Sequence, residues 1–328
     1  MQQNIYQGNK KVIHLSVIIP TRNRAKTLQK ALDSIVKQTL SKKYFEVIVV
    51  DNGSVDETQD IVDSFLKKIN NLVYIYDKNP GLHIGRHLGL LAAKAEILVY
   101  GDDDIEATPN WLEGILESFE DKSVALVGGK NKPNFDSTPP NWILHMYGKR
   151  DNQKILGHLS ILDFGDEIQE INPNFVFGCN FSIRKTILLE AGGFHPDGMP
   201  QDMIKYRGDG ESYVSRYIMD KGYKTIYNPK ASVYHLCSKK RMTKKYFAQR
   251  SFNQGISDSY TAIRSGQTRG LIKAKLKIMI LKYLFAKDVQ IEEQYIAGYE
   301  YHQNEAKNDP SLIEWIKREN YIKNGIII

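Results

Sequence analysis

Cysteine is scarce in this chain, with Cys179 and Cys237 the two in 328 residues. Two such residues give no disulfide framework and suit a reducing compartment, so each reads as a small buried hydrophobe. Long apolar runs are missing as well. None approaches the ~20 residues of a bilayer span, and the polar stretch Met1–Lys11 has no secretion-signal core. The expectation is a cytoplasmic protein. No G-x-G-x-x-G turn follows the first apolar strand, which argues against a dinucleotide-binding dehydrogenase. The P-loop lysine motif is absent too, which argues against an NTPase. Acidic residues almost vanish from one stretch: residues 239–287 hold 13 Lys+Arg and one Asp. Residues 1–238 hold 28 against 29 and residues 288–328 hold 4 against 8, so the net +7 belongs to one segment. That distribution points to a local anionic partner, a diphosphate or a lipid surface, and not to nucleic acid.

With 41% hydrophobic and 25% charged residues, the chain has the make-up of a soluble globular protein. Val17-Ile18-Ile19, Phe45–Val50, Val73–Tyr76 and Ile97–Tyr100 are short apolar runs of buried-strand type. Segments with helical spacing separate them: Leu28, Ala31, Leu32, Ile35 and Val36, then Ile61, Val62, Phe65 and Leu66, then Gly85–Ala95. This alternation predicts βαβ units and a parallel sheet. Open sheets of this kind bind ligands at the carboxyl ends of their strands, here Thr21, Asp51 and Asp102-Asp103-Asp104. Three adjacent carboxylates repel one another unless a cation offsets them, and hard divalent ions prefer oxygen ligands. After the triplet, Thr108-Pro109 opens a helix with Trp111, Leu112, Ile115, Leu116 and Phe119 on one face.

The strand-end sequences SVIIPTRNR, FEVIVVDNGSVDET and NPGLHIGRHLGLLAAKAEILVYGDDD, followed by PNWLE, come in a telling order. With FGCNFSIRKTILLEAGGF and GDGESYVSRYIMDKGYKTIYNPKASVYH, they resemble the family 2 glycosyltransferases over about residues 14–238. The resemblance implies an α/β GT-A fold, with a mainly parallel central sheet flanked by helices. It also implies inverting transfer of a sugar from a nucleotide-diphosphate donor, most simply a UDP-sugar, with Mn²⁺ or Mg²⁺. The acceptor would be a hydroxyl of a glycan or lipid-linked saccharide, as in surface polysaccharide synthesis. By the same resemblance Pro20, Thr21, Arg22 and Asp51 hold the nucleoside, and Arg86 lies near the diphosphate or base. His87 stands where the family usually has Asn. Asp102 and Asp104 are the outer acids of the D-x-D motif: Asp104 ligates the metal, and Asp102 contacts ribose or the metal shell. Asp103 can face either way, and His235 is a further metal ligand. Structural alternatives stand beside these: an Asx turn at Asp51, a surface arginine at Arg86, a core histidine at His235.

For the base, Arg216 anchors the comparison. Asp209 then falls on a family Glu and Gly210 on the Asp that usually takes the proton, with Glu211 one residue beyond. Either acid can serve if it reaches the acceptor hydroxyl, with Glu211 preferred; first-turn acids also simply favour a helix dipole. Residues 130–175 read as the acceptor side. There Trp142, and elsewhere Trp111, offer stacking faces or core packing, and Asn180 could touch donor or acceptor. The domain division expected is 1–238, catalytic, and 239–328, a basic helical extension. Within it, Leu271–Ala286 mixes apolar residues with Lys273, Lys275, Lys277 and Lys282. It reads either as an interfacial helix giving peripheral membrane contact through 239–287, or as a packed helix with snorkelling lysines. A sugar-nucleotidyltransferase and a non-catalytic polyanion- or membrane-binding protein are the other functions open to the chain.

Overall fold

The computed structural model describes residues 13–150, 153–267, 270–285, 288–323 and 326–327. The strands are β1 (Leu15–Thr21), β2 (Phe45–Asp51), β3 (Leu72–Tyr76), β4 (Ile97–Gly101), β5 (Ile105–Ala107), β6 (Val124–Gly128), β7 (Asn131–Phe135), β8 (Gly148–Arg150), β9 (Gln153–Leu156), β10 (Ile161–Asp163), β11 (Gln169–Glu170), β12 (Asn180–Arg184), β13 (Lys224–Tyr227) and β14 (Val233–Cys237). The helices are α1 (Ala25–Val36), α2 (Thr58–Phe65), α3 (Leu82–Ala92), α4 (Trp111–Ser118), α5 (Asn141–His145), α6 (Lys185–Glu190), α7 (Glu211–Lys221), α8 (Lys244–Ser265), α9 (Ile272–Phe285), α10 (Gln290–Asn308) and α11 (Pro310–Lys317).

An eight-stranded sheet in the order β11-β13-β6-β12-β4-β1-β2-β3 carries the core. Strands β1 to β4 pair in parallel, as the βαβ pattern requires, whereas β12 runs antiparallel between β4 and β6. Both faces are covered, which is why the strands read as unbroken apolar runs. Val17, Ile19, Val47 and Val49 pack on one side with α1, α2 and α4 residues such as Leu28, Val62 and Trp111. The alternate residues Ile18, Ile48 and Val50 pack on the other with Leu90, Leu188 and Val214.

A second, six-stranded sheet in the order β5-β14-β7-β10-β9-β8 begins just after the acidic triplet. Its β5 and β14 are antiparallel, with His235 opposite Ile105, and the Leu236 N–H donates to the Asp104 carbonyl at 3.0 Å. Register therefore carries a residue 131 positions downstream to the side of Asp104.

The boundary at 238 marks a change of charge, and packing continues across it. Met242 and Phe247 share an apolar cluster with Ile143, Leu159 and Cys237. Tyr260, Leu312 and Ile316 form another, against which Tyr206 packs. Helix α8 starts at Thr243, whose side chain accepts the Tyr246 N–H, and α11 starts at Asp309 with Pro310 next. No helix among the described residues is long and apolar enough to cross a membrane.

Three histidines are buried neutral in this body. Burial lowers His83 to about 4 and His302 to about 4, and holds His87 well below the ordinary value. Unfolded, each titrates near 6.5, so below that pH the unfolded chain binds more protons and stability falls toward pH 4. The slope is up to ~1.4 kcal/mol per pH unit for each histidine. Urea midpoints between pH 7 and 4.5 should fall, and His83→Leu should make the fall shallower. An unchanged slope in that variant would show that His83 is not held neutral.

Candidate active site

The triplet at the end of β4 divides by direction. Asp103 turns inward, where its carboxylate accepts the Thr21 hydroxyl at 2.7 Å and Arg24 Nη1 at 2.8 Å. Burial, with Asp104 nearby, pushes it up to about 6 against the pull of Arg24. Asp102 and Asp104 line a cavity of about 690 Å³ over the turn between β1 and α1. Burial first, then the Asp104 charge, raises the Asp102 pKa. Burial opposes ionisation of Asp104 too, but His235, Arg241 and Arg24 outweigh it and hold Asp104 at about 2.

Asp102, Asp104 and His235 each offer one ligand atom, all within 4.8 Å of one another. His235 is oriented from behind: its Nδ1 lies 2.9 Å from the Leu159 carbonyl, which can only accept. The proton therefore sits on Nδ1, and Nε2 faces Asp104 Oδ1 at 3.3 Å. That oxygen is buried with no hydrogen-bond partner. A cation held between it and Nε2 would satisfy that oxygen, and the two-oxygen, one-nitrogen set suits Mn²⁺ or Mg²⁺. Arg24 Nη1 and Arg241 Nη1 stand 3.2 and 3.1 Å from the other oxygen of Asp104.

Arg86 links this group to the second pair of acids. The side chain is buried on α3, with Nη1 3.2 Å from Glu211 Oε2 and Nη2 3.9 Å from Asp102 Oδ1. Glu211 opens α7 and also accepts the Gly178 N–H at 3.1 Å. A Cβ at Gly178 would meet Arg86 Nη2 at 2.3 Å, so only glycine admits this approach. Glu211 lines a small polar cavity of about 160 Å³ shared with Arg86 and Asp102, and a larger one of about 830 Å³.

Asp209, two residues earlier, has a different fate. It is buried, accepting from His195 Nδ1 at 2.6 Å, from Thr261 of α8 at 2.7 Å and from Arg216. These partners, acting against burial, lower its pKa. It anchors α7 and α8, and it lines the small cavity that Glu211 and Arg86 also border. Gly210 between them has φ +53° and ψ −126°, a conformation that side chains avoid, so an acid is disfavoured at the usual base position. The turn that buries Asp209 presents Glu211.

The nucleoside-side residues are bound into their turns. Asp51 is buried with both oxygens engaged, by the Ser54 N–H at 2.7 Å and the Tyr74 hydroxyl at 2.8 Å, and so works as the Asx brace of its turn. Thr21 and Pro20 are buried beneath the cavity, and Arg22 is exposed. Asn180 is used up internally: Nδ2 donates to Asn131 and the Ala231 carbonyl, and Oδ1 accepts the Trp111 indole N–H at 2.9 Å. It thus braces β12 against α4. Trp111 is fully buried. Trp142 meets Phe247 edge-on at 4.8 Å, a packing contact and not an open sugar platform. His87 accepts the Phe194 N–H at 2.8 Å through Nε2, a role in the core.

Sequence reasoning assigned no role to Arg24, Arg241 or Arg250. Arg24 belongs to the P-T-R-N-R turn and was legible as a cation near the strand ends. Arg241 lies in a run of basic residues that reads as surface charge. Arg250 lines all three cavities named above.

A mixed sheet ending in paired acids, with a later histidine folded back onto them, defines a glycosyltransferase of the GT-A fold. The Glycosyl transferase family 2 profile matches residues 16–190. The chain belongs to glycosyl transferase family 2. It is 38% identical over 212 residues to Glycosyltransferase AglE of Haloferax volcanii, covering 64% of this chain and 62% of that protein. Over 273 residues it is 23% identical to the Glucosyl-dolichyl phosphate glucuronosyltransferase of the same organism, covering 82% and 84%. Among solved structures it resembles the mannosyltransferase PcManGT from Pyrobaculum calidifontis, in complex with GDP-Man and Mn²⁺. That likeness has a TM-score of 0.55 and 18% identity, over 90% of this chain and 76% of that one. Family membership displaces the nucleotidyltransferase and non-catalytic readings.

Because Asp209 is a buried partner of Arg216 and His195, Asp209→Ala should lower folding stability by about 3 kcal/mol in urea unfolding. Asp209→Asn, which keeps the shape, should cost less. A fully stable Asp209→Ala protein would contradict the anchoring role.

Proposed function

We propose that this chain is a metal-dependent, inverting glycosyltransferase that moves a sugar from a UDP-linked donor to a hydroxyl of a glycan or lipid-linked saccharide, as in surface polysaccharide synthesis. The observation that carries the metal reading is the group of Asp102, Asp104 and His235, with ligand atoms within 4.8 Å and His235 aimed from behind. These three would hold Mn²⁺ or Mg²⁺, which would offset the charge gathering on the leaving diphosphate. Arg24 and Arg241 add fixed positive charge on the diphosphate side of the same cavity. Pro20, Thr21, Arg22 and Asp51 shape the nucleoside end from the turns they brace.

Glu211 takes the proton of the acceptor hydroxyl. As that oxygen bonds to the anomeric carbon, the carbon–oxygen bond to the diphosphate breaks, and the single displacement inverts the centre. Gly178 N–H and Arg86 hold Glu211 in position for this, and Arg86 keeps it in register with Asp102. A lipid-linked acceptor is supported by the relative whose name gives a glucosyl-dolichyl phosphate. The reading includes a cytoplasmic location, in keeping with two free cysteines.

The test is nucleotide release from a panel of UDP- and GDP-sugars, with and without Mn²⁺; GDP-sugars are included because PcManGT was captured with GDP-Man. Release that needs the ion is expected, and absence of turnover and binding for every donor would refute the transferase reading. Asp104→Ala should lower ion-dependent release by at least ~10²-fold. Glu211→Gln should lower kcat by ~10²–10⁴-fold with donor KM nearly unchanged. Equal kcat for Glu211→Gln and wild type would remove Glu211 from proton transfer.

A further inference from the structure

Helix α9 stands apart from the helices around it. Its fourteen residues carry four lysines and no acid, and are too few to span a bilayer. Ile272, Leu276, Met279, Ile280, Tyr283 and Leu284 are 37% to 81% exposed. At about 100° per residue they fall in one arc roughly 140° wide. Lys273 and Lys277 stand along one border of that arc. On the other, Lys275 and Lys282 reach back to Glu300 and Glu293 of α10, tying the helix to the body. The opposite face, with Ala274, Ile278 and Leu281, lines the cavity of about 830 Å³ whose wall includes Glu211.

We infer that the outer face of α9 lies in the surface of an anionic membrane, so that a lipid-borne acceptor enters the cavity behind α9 and reaches Glu211. Charge complementarity selects this occupant: an apolar stripe bordered by lysines matches acyl chains below anionic headgroups. The surrounding segment, with 13 basic residues against one acid, adds to the attraction. Continuity selects it too, since the other side of the same helix opens on the carboxylate proposed to take the acceptor proton. The inference deepens the lipid-linked acceptor reading and rests on it.

The test is sedimentation of the full chain with vesicles of phosphatidylcholine containing 30% phosphatidylglycerol, a composition on the order of natural anionic surfaces. Binding is expected there and not with phosphatidylcholine alone, and it should weaken as salt rises. The double variant Leu276→Glu/Tyr283→Glu should lose at least ~tenfold in vesicle affinity. In vesicle-free buffer it should keep the metal-dependent nucleotide release of wild type. No binding to anionic vesicles at low salt, or equal binding by the double variant, overturns the inference. A wild-type dimer that the double variant breaks, without vesicle binding, would do so by assigning the face to a second copy. Absence of nucleotide release from the wild type itself would instead count against the transferase reading.

Discussion

Like charge at the end of one buried strand is the constraint on which the site depends. Two carboxylate oxygens within 4.8 Å repel by about 3–4 kcal/mol even where the surroundings are fairly polarisable. The fold answers by bringing cations from separate parts of the chain. Arg24 comes from the first strand–helix turn, Arg86 from the third helix and Arg241 from the basic extension. Burial lifts Asp103 to about 6 against Arg24, whereas Arg24 and Arg241 converge on one oxygen of Asp104, which is held at about 2. The triplet is thus three groups with three environments.

The second pair of acids repeats this division on a smaller scale. Asp209 and Glu211 differ by two positions and a single glycine. The first is locked by His195, Arg216 and Thr261; the second is held by Arg86 and the Gly178 N–H and borders the larger cavity as well. Because Thr261 lies on α8, the basic extension helps to hold the turn that presents Glu211. Charge composition divides the chain at residue 238, but the site draws on both sides of that division.

Legibility in the sequence followed the range of the signal. Strand β4, the acids after it and the strand–helix alternation are local patterns, and they read correctly. That His235 would lie beside the triplet was legible through resemblance alone, with no local pattern to place it there. What escaped was decided by tertiary hydrogen bonding. Trp111 and Asn131, the partners of Asn180, and Tyr74, a partner of Asp51, lie far along the chain and leave no local pattern. Arg241 was hidden for the opposite reason, since a run of basic residues does not say which one folds inward. The antiparallel insertion of β12 was also unreadable, because a buried strand looks the same in either direction.

The pairing of His235 with Ile105 has a further meaning for how such a site is inherited. Along β14, Val233, His235 and Cys237 are buried and Tyr234 is exposed. A slip of one residue would put a phenol where the imidazole stands and turn the imidazole to solvent. Insertions or deletions between the two strands are therefore tolerable only if the loops absorb them whole. The grouping of Asp102, Asp104 and His235 works as a gauge of alignment: a descendant of this chain can lengthen or shorten its connections freely, but it cannot shift the phase of this strand and keep the three side chains together.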